Sequence, residues 1–96
     1  MPLEHMVWIK FKDGVDPRRQ QQHLDALRGL ADTVPGIRHL AVGKNITARS
    51  AGYTHGLVVR LDSADALAIY RDHPDHVPVA EALKQDADLL AMDIEY

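Results

Sequence analysis

Leu3-Glu4-His5-Met6-Val7-Trp8-Ile9-Lys10-Phe11 carries apolar bulk on both of its alternating parities. Leu3, His5, Val7, Ile9 and Phe11 share one parity, and Glu4, Met6, Trp8 and Lys10 share the other. Successive side chains of a strand point to opposite faces of its sheet. A strand with bulk on both faces is expected at the centre of a sheet that is covered on both sides. The rest of the chain has to supply the two covers.

Downstream of this strand, Asp16-Pro17 reads as a helix start, with Asp16 as the cap and Pro17 at the first helical position. Leu24, Leu27, Ala31 and Val34 recur at helical spacing, with Leu30 widening the stripe, and Pro35-Gly36 ends the helix. Ile37 to Lys44 is a second strand, Asn45 to Gly52 a polar loop, and Tyr53 to Leu61 a third strand. Ser63 caps a short helix with Ala66, Leu67 and Tyr70 on one face. Pro74 interrupts it, because the residue before a proline avoids helical geometry. A second helical piece runs from near His76 to Gln85, with Val79, Ala82 and Leu83 inward, and Leu89 to Tyr96 is the last strand.

The order strand, helix, strand, strand, helix, strand predicts an α+β, ferredoxin-like βαββαβ chain. In it a four-stranded antiparallel sheet carries its helices on one face. The opposite face is left bare, and Met6, Trp8, Leu40, Val42 and Val58 are expected on it. An exposed apolar patch of this kind marks a partner surface. A homodimer with its sheets packed face to face covers the patch and closes a barrel.

Composition narrows the functions. The 96 residues suffice for one domain, 1–96, and 46% of them are hydrophobic, as in an ordinary folded chain. The net charge of −3 argues against a nucleic-acid binder, which needs a basic face. The absence of cysteine removes disulfides, thiolate nucleophiles and thiolate metal sites. No apolar run is long enough to span a bilayer, and no signal-peptide pattern opens the chain, so a cytoplasmic location with no membrane partner is expected.

Two histidines stand among inward-facing apolar residues. His5 shares the parity of Val7, Ile9 and Phe11; His55 shares that of Leu57 and Val59. The first and third strands are the central pair of this topology. Both imidazoles are therefore expected in the space between sheet and helices, with Val7, Ile9 and Leu57 as its apolar walls. Tyr70, on the inward helix face, brings a hydroxyl into the same space, and His76 follows the Pro74 break near its mouth. An imidazole titrates near neutral pH and serves as a base, while a tyrosine hydroxyl can hydrogen-bond a developing enolate. The set fits proton transfer beside a carbonyl: cyclisation, isomerisation or cyanohydrin cleavage, none of which needs a cofactor. The same residues also fit a structural role, with each ring nitrogen satisfied by backbone or water. His73-x-x-His76 is read as a helix-start turn and no metal is expected. His23 and His39 read as surface residues.

Three stretches carry a resemblance. They are His5 to Val15, then Val34-Pro35-Gly36-Ile37 with Val42-Gly43-Lys44-Asn45 and Gly52-Tyr53-Thr54-His55, and finally Tyr70-Arg71-Asp72-His73-Pro74-Asp75-His76-Val77. In register from end to end, the chain resembles the stress-responsive A/B barrel (Dabb) family. That resemblance implies a dimeric α+β barrel. The family includes stress-associated plant proteins, a plant polyketide cyclase and a hydroxynitrile lyase. His5, His55, Tyr70 and His76 align with cavity residues of the cyclase, where the tyrosine and the histidine after His-Pro act as an acid-base pair. Leu27 stands where the cyclase has a second cavity tyrosine, which implies a different substrate or pocket shape. The resemblance thus points to a cofactor-independent cyclase- or lyase-like catalyst acting on a small apolar carbonyl compound. A non-catalytic, stress-related or ligand-binding barrel is the alternative. A second alternative is the antibiotic-biosynthesis-type monooxygenase, which shares the barrel but not the His-Pro-x-His turn.

Overall fold

The computed structural model describes the whole chain, Met1–Tyr96. Its elements are β1 (Leu3–Phe11), α1 (Pro17–Thr33), β2 (Ile37–Lys44), β3 (His55–Leu61), α2 (Ala64–Asp72), α3 (His76–Asp86) and β4 (Ala87–Glu95). The strands form one antiparallel sheet in the order β2-β3-β1-β4, the ferredoxin-like α+β arrangement. No helix is long and apolar enough to cross a membrane.

The helix boundaries follow local chemistry. Asp16 accepts a hydrogen bond from the Arg19 amide at 2.8 Å with Pro17 at the first position, and Ser63 accepts from the Ala66 amide at the start of α2. Gly36 ends the α1 turn at φ +86°, a left-handed conformation, and a Cβ there would stand 2.9 Å from the Ala66 Cβ. His73 closes α2 just before Pro74, and the chain restarts as α3 at His76. β3 begins at His55 rather than Tyr53, because Tyr53 turns back onto the loop through the hydrogen bond its amide donates to the Ser50 carbonyl. β4 begins at Ala87, directly after α3, with no linker.

Leu24, Leu27, Leu30 and Val34 of the first helical segment pack on Leu3, Val7, Ile9, Leu57, Val59 and Leu61 of the sheet. Ala31 lies outside this stripe and is exposed. Two expectations about the sheet are corrected. Leu40 and Val42 do not join the bare face: Val42 is buried in the core and Leu40 packs against it. A bulge explains the switch. Ile37 pairs with Leu61 and His39 with Arg60, so Arg38 is an extra residue and the pleat changes phase. Ile37, Leu40 and Val42 then all turn toward the helices. On the far face remain Met6, Trp8 and Val58, joined by Leu90, Met92 and Ile94 of β4; Trp8 is 46% and Met92 63% exposed.

Candidate acid-base site

β1 places His5 on the helix-facing side, opposite Asp93 of β4. The His5 Nδ1–H donates to Asp93 Oδ1 at 2.5 Å. That bond leaves Nε2 free and holds the ring in one orientation. The next ring is Tyr70, from the last turn of α2, with its centroid 5.6 Å from that of His5. His76, at the start of α3, packs against Tyr70 with ring centroids 4.3 Å apart. Its Nδ1–H donates to the Arg71 carbonyl at 3.0 Å, so its Nε2 is also the open nitrogen. Burial lowers the His76 pKa, against the opposing pull of the Arg71 carbonyl, and keeps the ring neutral and basic at neutral pH.

Tyr70 packs against both imidazoles and is 1% exposed. Its hydroxyl has no hydrogen-bond partner, the only buried side-chain polar atom in that condition. Burial pushes its pKa up to about 12, so the group is a neutral donor. An unpaired buried hydroxyl costs about 1–3 kcal/mol. Such a group calls for a reason other than packing.

His55 lies apart from this trio. Its register partner on β1 is Ile9, whereas that of His5 on β3 is Val59, which separates the two along the strands by about 13 Å. The His55 ring packs edge-on against Phe11 at 5.2 Å and its Nδ1 meets the Thr54 hydroxyl at 2.8 Å. Burial first, and the Lys44 charge second, lower its pKa. Val7, Ile9, Leu27 and Leu57 are all buried between sheet and helices, where they form the apolar core beneath these groups.

His23 is not a surface residue. It is 7% exposed, stacks on the other side of Phe11 at 5.9 Å, and its Nε2–H donates to Asp86 Oδ2 at 2.6 Å. The same carboxylate accepts from Arg19 Nε at 2.5 Å. His73 Nδ1 accepts the Asp75 amide at 3.1 Å, so the His-x-x-His turn engages its own backbone. No group of three or more His, Asp or Glu side chains is placed to hold a metal ion.

Asp93 is the site residue that sequence reasoning passed over. Its signal was the inward parity of Leu89, Ala91 and Asp93 in the last strand, where a carboxylate has no apolar reason to be.

The family model of the stress responsive A/B barrel domain matches residues 3–96. The chain belongs to this family. Within it, this A/B barrel chain is 28% identical over 79 residues to olivetolic acid cyclase of Cannabis sativa, covering 80% of this chain and 78% of the cyclase. It is 30% identical over 81 residues to the stress-response A/B barrel domain-containing protein HS1 of Arabidopsis thaliana, covering 82% of this chain and 74% of that protein. Among solved structures, a dimeric ferredoxin-like protein of unknown function from Thermobifida fusca superposes with a TM-score of 0.88 at 26% identity, covering 100% of this chain and 92% of that one.

Proposed function

We propose that this A/B barrel works as a homodimer that binds a small apolar carbonyl compound between sheet and helices and moves a proton next to the carbonyl, without a cofactor. The observation that carries the reading is the buried, unpartnered hydroxyl of Tyr70, whose ring packs against two imidazoles. Each imidazole has committed Nδ1 elsewhere and keeps Nε2 free. A carbonyl oxygen that accepts from Tyr70 places its α-carbon near those nitrogens. One of them takes the α-proton, and the hydroxyl stabilises the enolate oxygen. Asp93 orients His5 by accepting from its Nδ1–H. His55, at the far end of the same strand pair, is assigned to the wall of the space. The kinship with olivetolic acid cyclase supports cyclisation as the reaction class. The dimer is supported by the apolar sheet face that the helices leave bare and by the T. fusca neighbour.

A second reading is a ligand-holding barrel without turnover. It is favoured by the close packing around Tyr70 and by the larger surface depressions, which are lined by other residues. Deuterium exchange separates the two. A simple alkyl methyl ketone in D2O should lose its α-protons, followed by NMR, faster with the wild-type protein than with Tyr70→Phe. Equal rates for the two proteins and for buffer would leave the holding barrel.

A further inference from the structure

His23 is the single imidazole among the buried residues, at 7% exposure, and the proton transfer proposed at Tyr70 does not use it. Its Nε2–H donates to Asp86 Oδ2 at 2.6 Å, which fixes the tautomer and makes Nδ1 an acceptor. Nδ1 has no partner in the chain. It is not sealed either, because the Tyr70 hydroxyl is the only side-chain polar atom both unpaired and cut off from solvent. The ring lines a groove of about 330 Å³ between α1 and α3, with Arg19 and Ala26 on the α1 side and Pro78, Val79 and Ala82 on the α3 side.

Arg19, His23 and Ala26 share one face of α1, spaced i, i+4 and i+7. Arg19 gives its Nε–H to the same Asp86 oxygen at 2.5 Å, and its two terminal nitrogens keep no protein partner. One carboxylate thus holds both side chains from behind. What they turn to the groove is an acceptor, Nδ1, beside the guanidinium donors. No carboxylate lines the groove, and its α3 wall is apolar. Its volume is at the low end of the range for ligand pockets, about 300–1,000 Å³, so the occupant is small.

We infer that this groove binds a small apolar molecule through a single hydroxyl group, with phenol as the simplest aromatic case. A hydroxyl is donor and acceptor at one atom. Its O–H donates to His23 Nδ1, and its oxygen accepts from a terminal N–H of Arg19. The apolar body rests on Ala26, Pro78, Val79 and Ala82. A carboxylate fits less well, since it sets lone pairs against Nδ1 and a second anion near Asp86. A plain hydrocarbon strips water from both polar groups and returns no hydrogen bond. The groove is also remote from the candidate acid-base site. His23 packs on Phe11 and Tyr70 on His5, six positions and about 20 Å apart along β1.

Titration of the wild-type protein with phenol, followed by two-dimensional ¹H–¹⁵N NMR, tests the inference. Saturable shifts should centre on the amides of His23, Ala26, Val79 and Ala82 and leave those of Tyr70 and His76 in place. Anisole keeps the ring and the oxygen but lacks the O–H, and should bind about tenfold more weakly or worse. Phenol should lose as much on His23→Phe, whose ring still packs on Phe11. Arg19→Met removes the donors from a half-exposed position and should weaken phenol several-fold. Ala26→Phe fills the groove from an exposed helix position and should abolish the shifts. It leaves the polar pair intact, so the test stands even if circular dichroism shows His23→Phe unfolded. Anisole binding as tightly as phenol would reduce the groove to an apolar crevice. Benzoate binding more tightly than phenol would make the guanidinium charge the recognised feature. Either result overturns the inference, as would phenol shifts that are absent, centred on Tyr70 or unchanged in Ala26→Phe.

Discussion

Tyr70 combines full burial with an unsatisfied hydroxyl, and the two properties make opposite demands on a mutation. Tyr70→Phe keeps the ring stacked against His76 and removes only an unpaired polar atom. Stability should therefore hold or rise, by up to about 1 kcal/mol in urea unfolding. Exchange or turnover should fall by roughly a hundredfold. His76→Ala removes the neighbouring imidazole from a half-exposed position, with a similar kinetic loss expected. If the two act on one proton, the double variant should be scarcely slower than either single one. Strictly additive losses would instead describe two independent contacts, and no loss in either would remove the pair from the chemistry.

Among the elements, α1 is held to the α3–β4 junction by one carboxylate. Asp86 accepts from His23 and Arg19, both on α1, while its backbone carbonyl receives the Lys12 amide at 2.8 Å. The His23 bond first, and the Arg19 bond second, hold the Asp86 pKa below the usual carboxylate range. A depressed folded-state pKa means that the unfolded chain binds the proton more readily. The tie therefore stabilises the fold above the ordinary carboxylate pKa and is lost as pH falls through the lowered one. Wild type should be more stable than Asp86→Asn at pH 7, with the gap closing as pH drops below about 4. A gap that stays constant across that range would show that the carboxylate's charge is irrelevant to the tie. The sequence did not display it: His23 sits beside a polar helix face, and only α3 packing on α1 buries it.

For the whole molecule, six large apolar side chains share a sheet face with no helix over it: Met6, Trp8, Val58, Leu90, Met92 and Ile94. Light scattering at micromolar concentration should give about twice the 10.7 kDa chain mass. Trp8→Glu should shift the protein toward monomer, because the interface would then hold a desolvated, unpaired charge. Since the side chain is half exposed within one chain, the monomer itself should remain folded. Unchanged association of Trp8→Glu would place the contact surface elsewhere.

Alternation in Leu3–Phe11, the Asp16-Pro17 and Ser63 starts and the Gly36 and Pro74 stops already specified the element order, since each rests on neighbours within a few residues. That Tyr70 and His76 approach one space was legible for the same reason, as they stand six positions apart across one helix end and the next helix start. Three matters were decided only in the folded chain. The Arg38 bulge turned Leu40 and Val42 inward, and a bulge depends on the partner strand's register. The offset along the paired strands separated His55 from His5, which parity alone had placed together. Asp93 met His5 because β4 pairs antiparallel with β1 across 88 residues of sequence. Parity assigns a face to each side chain, but position along that face comes from strand pairing, a property of two segments at once.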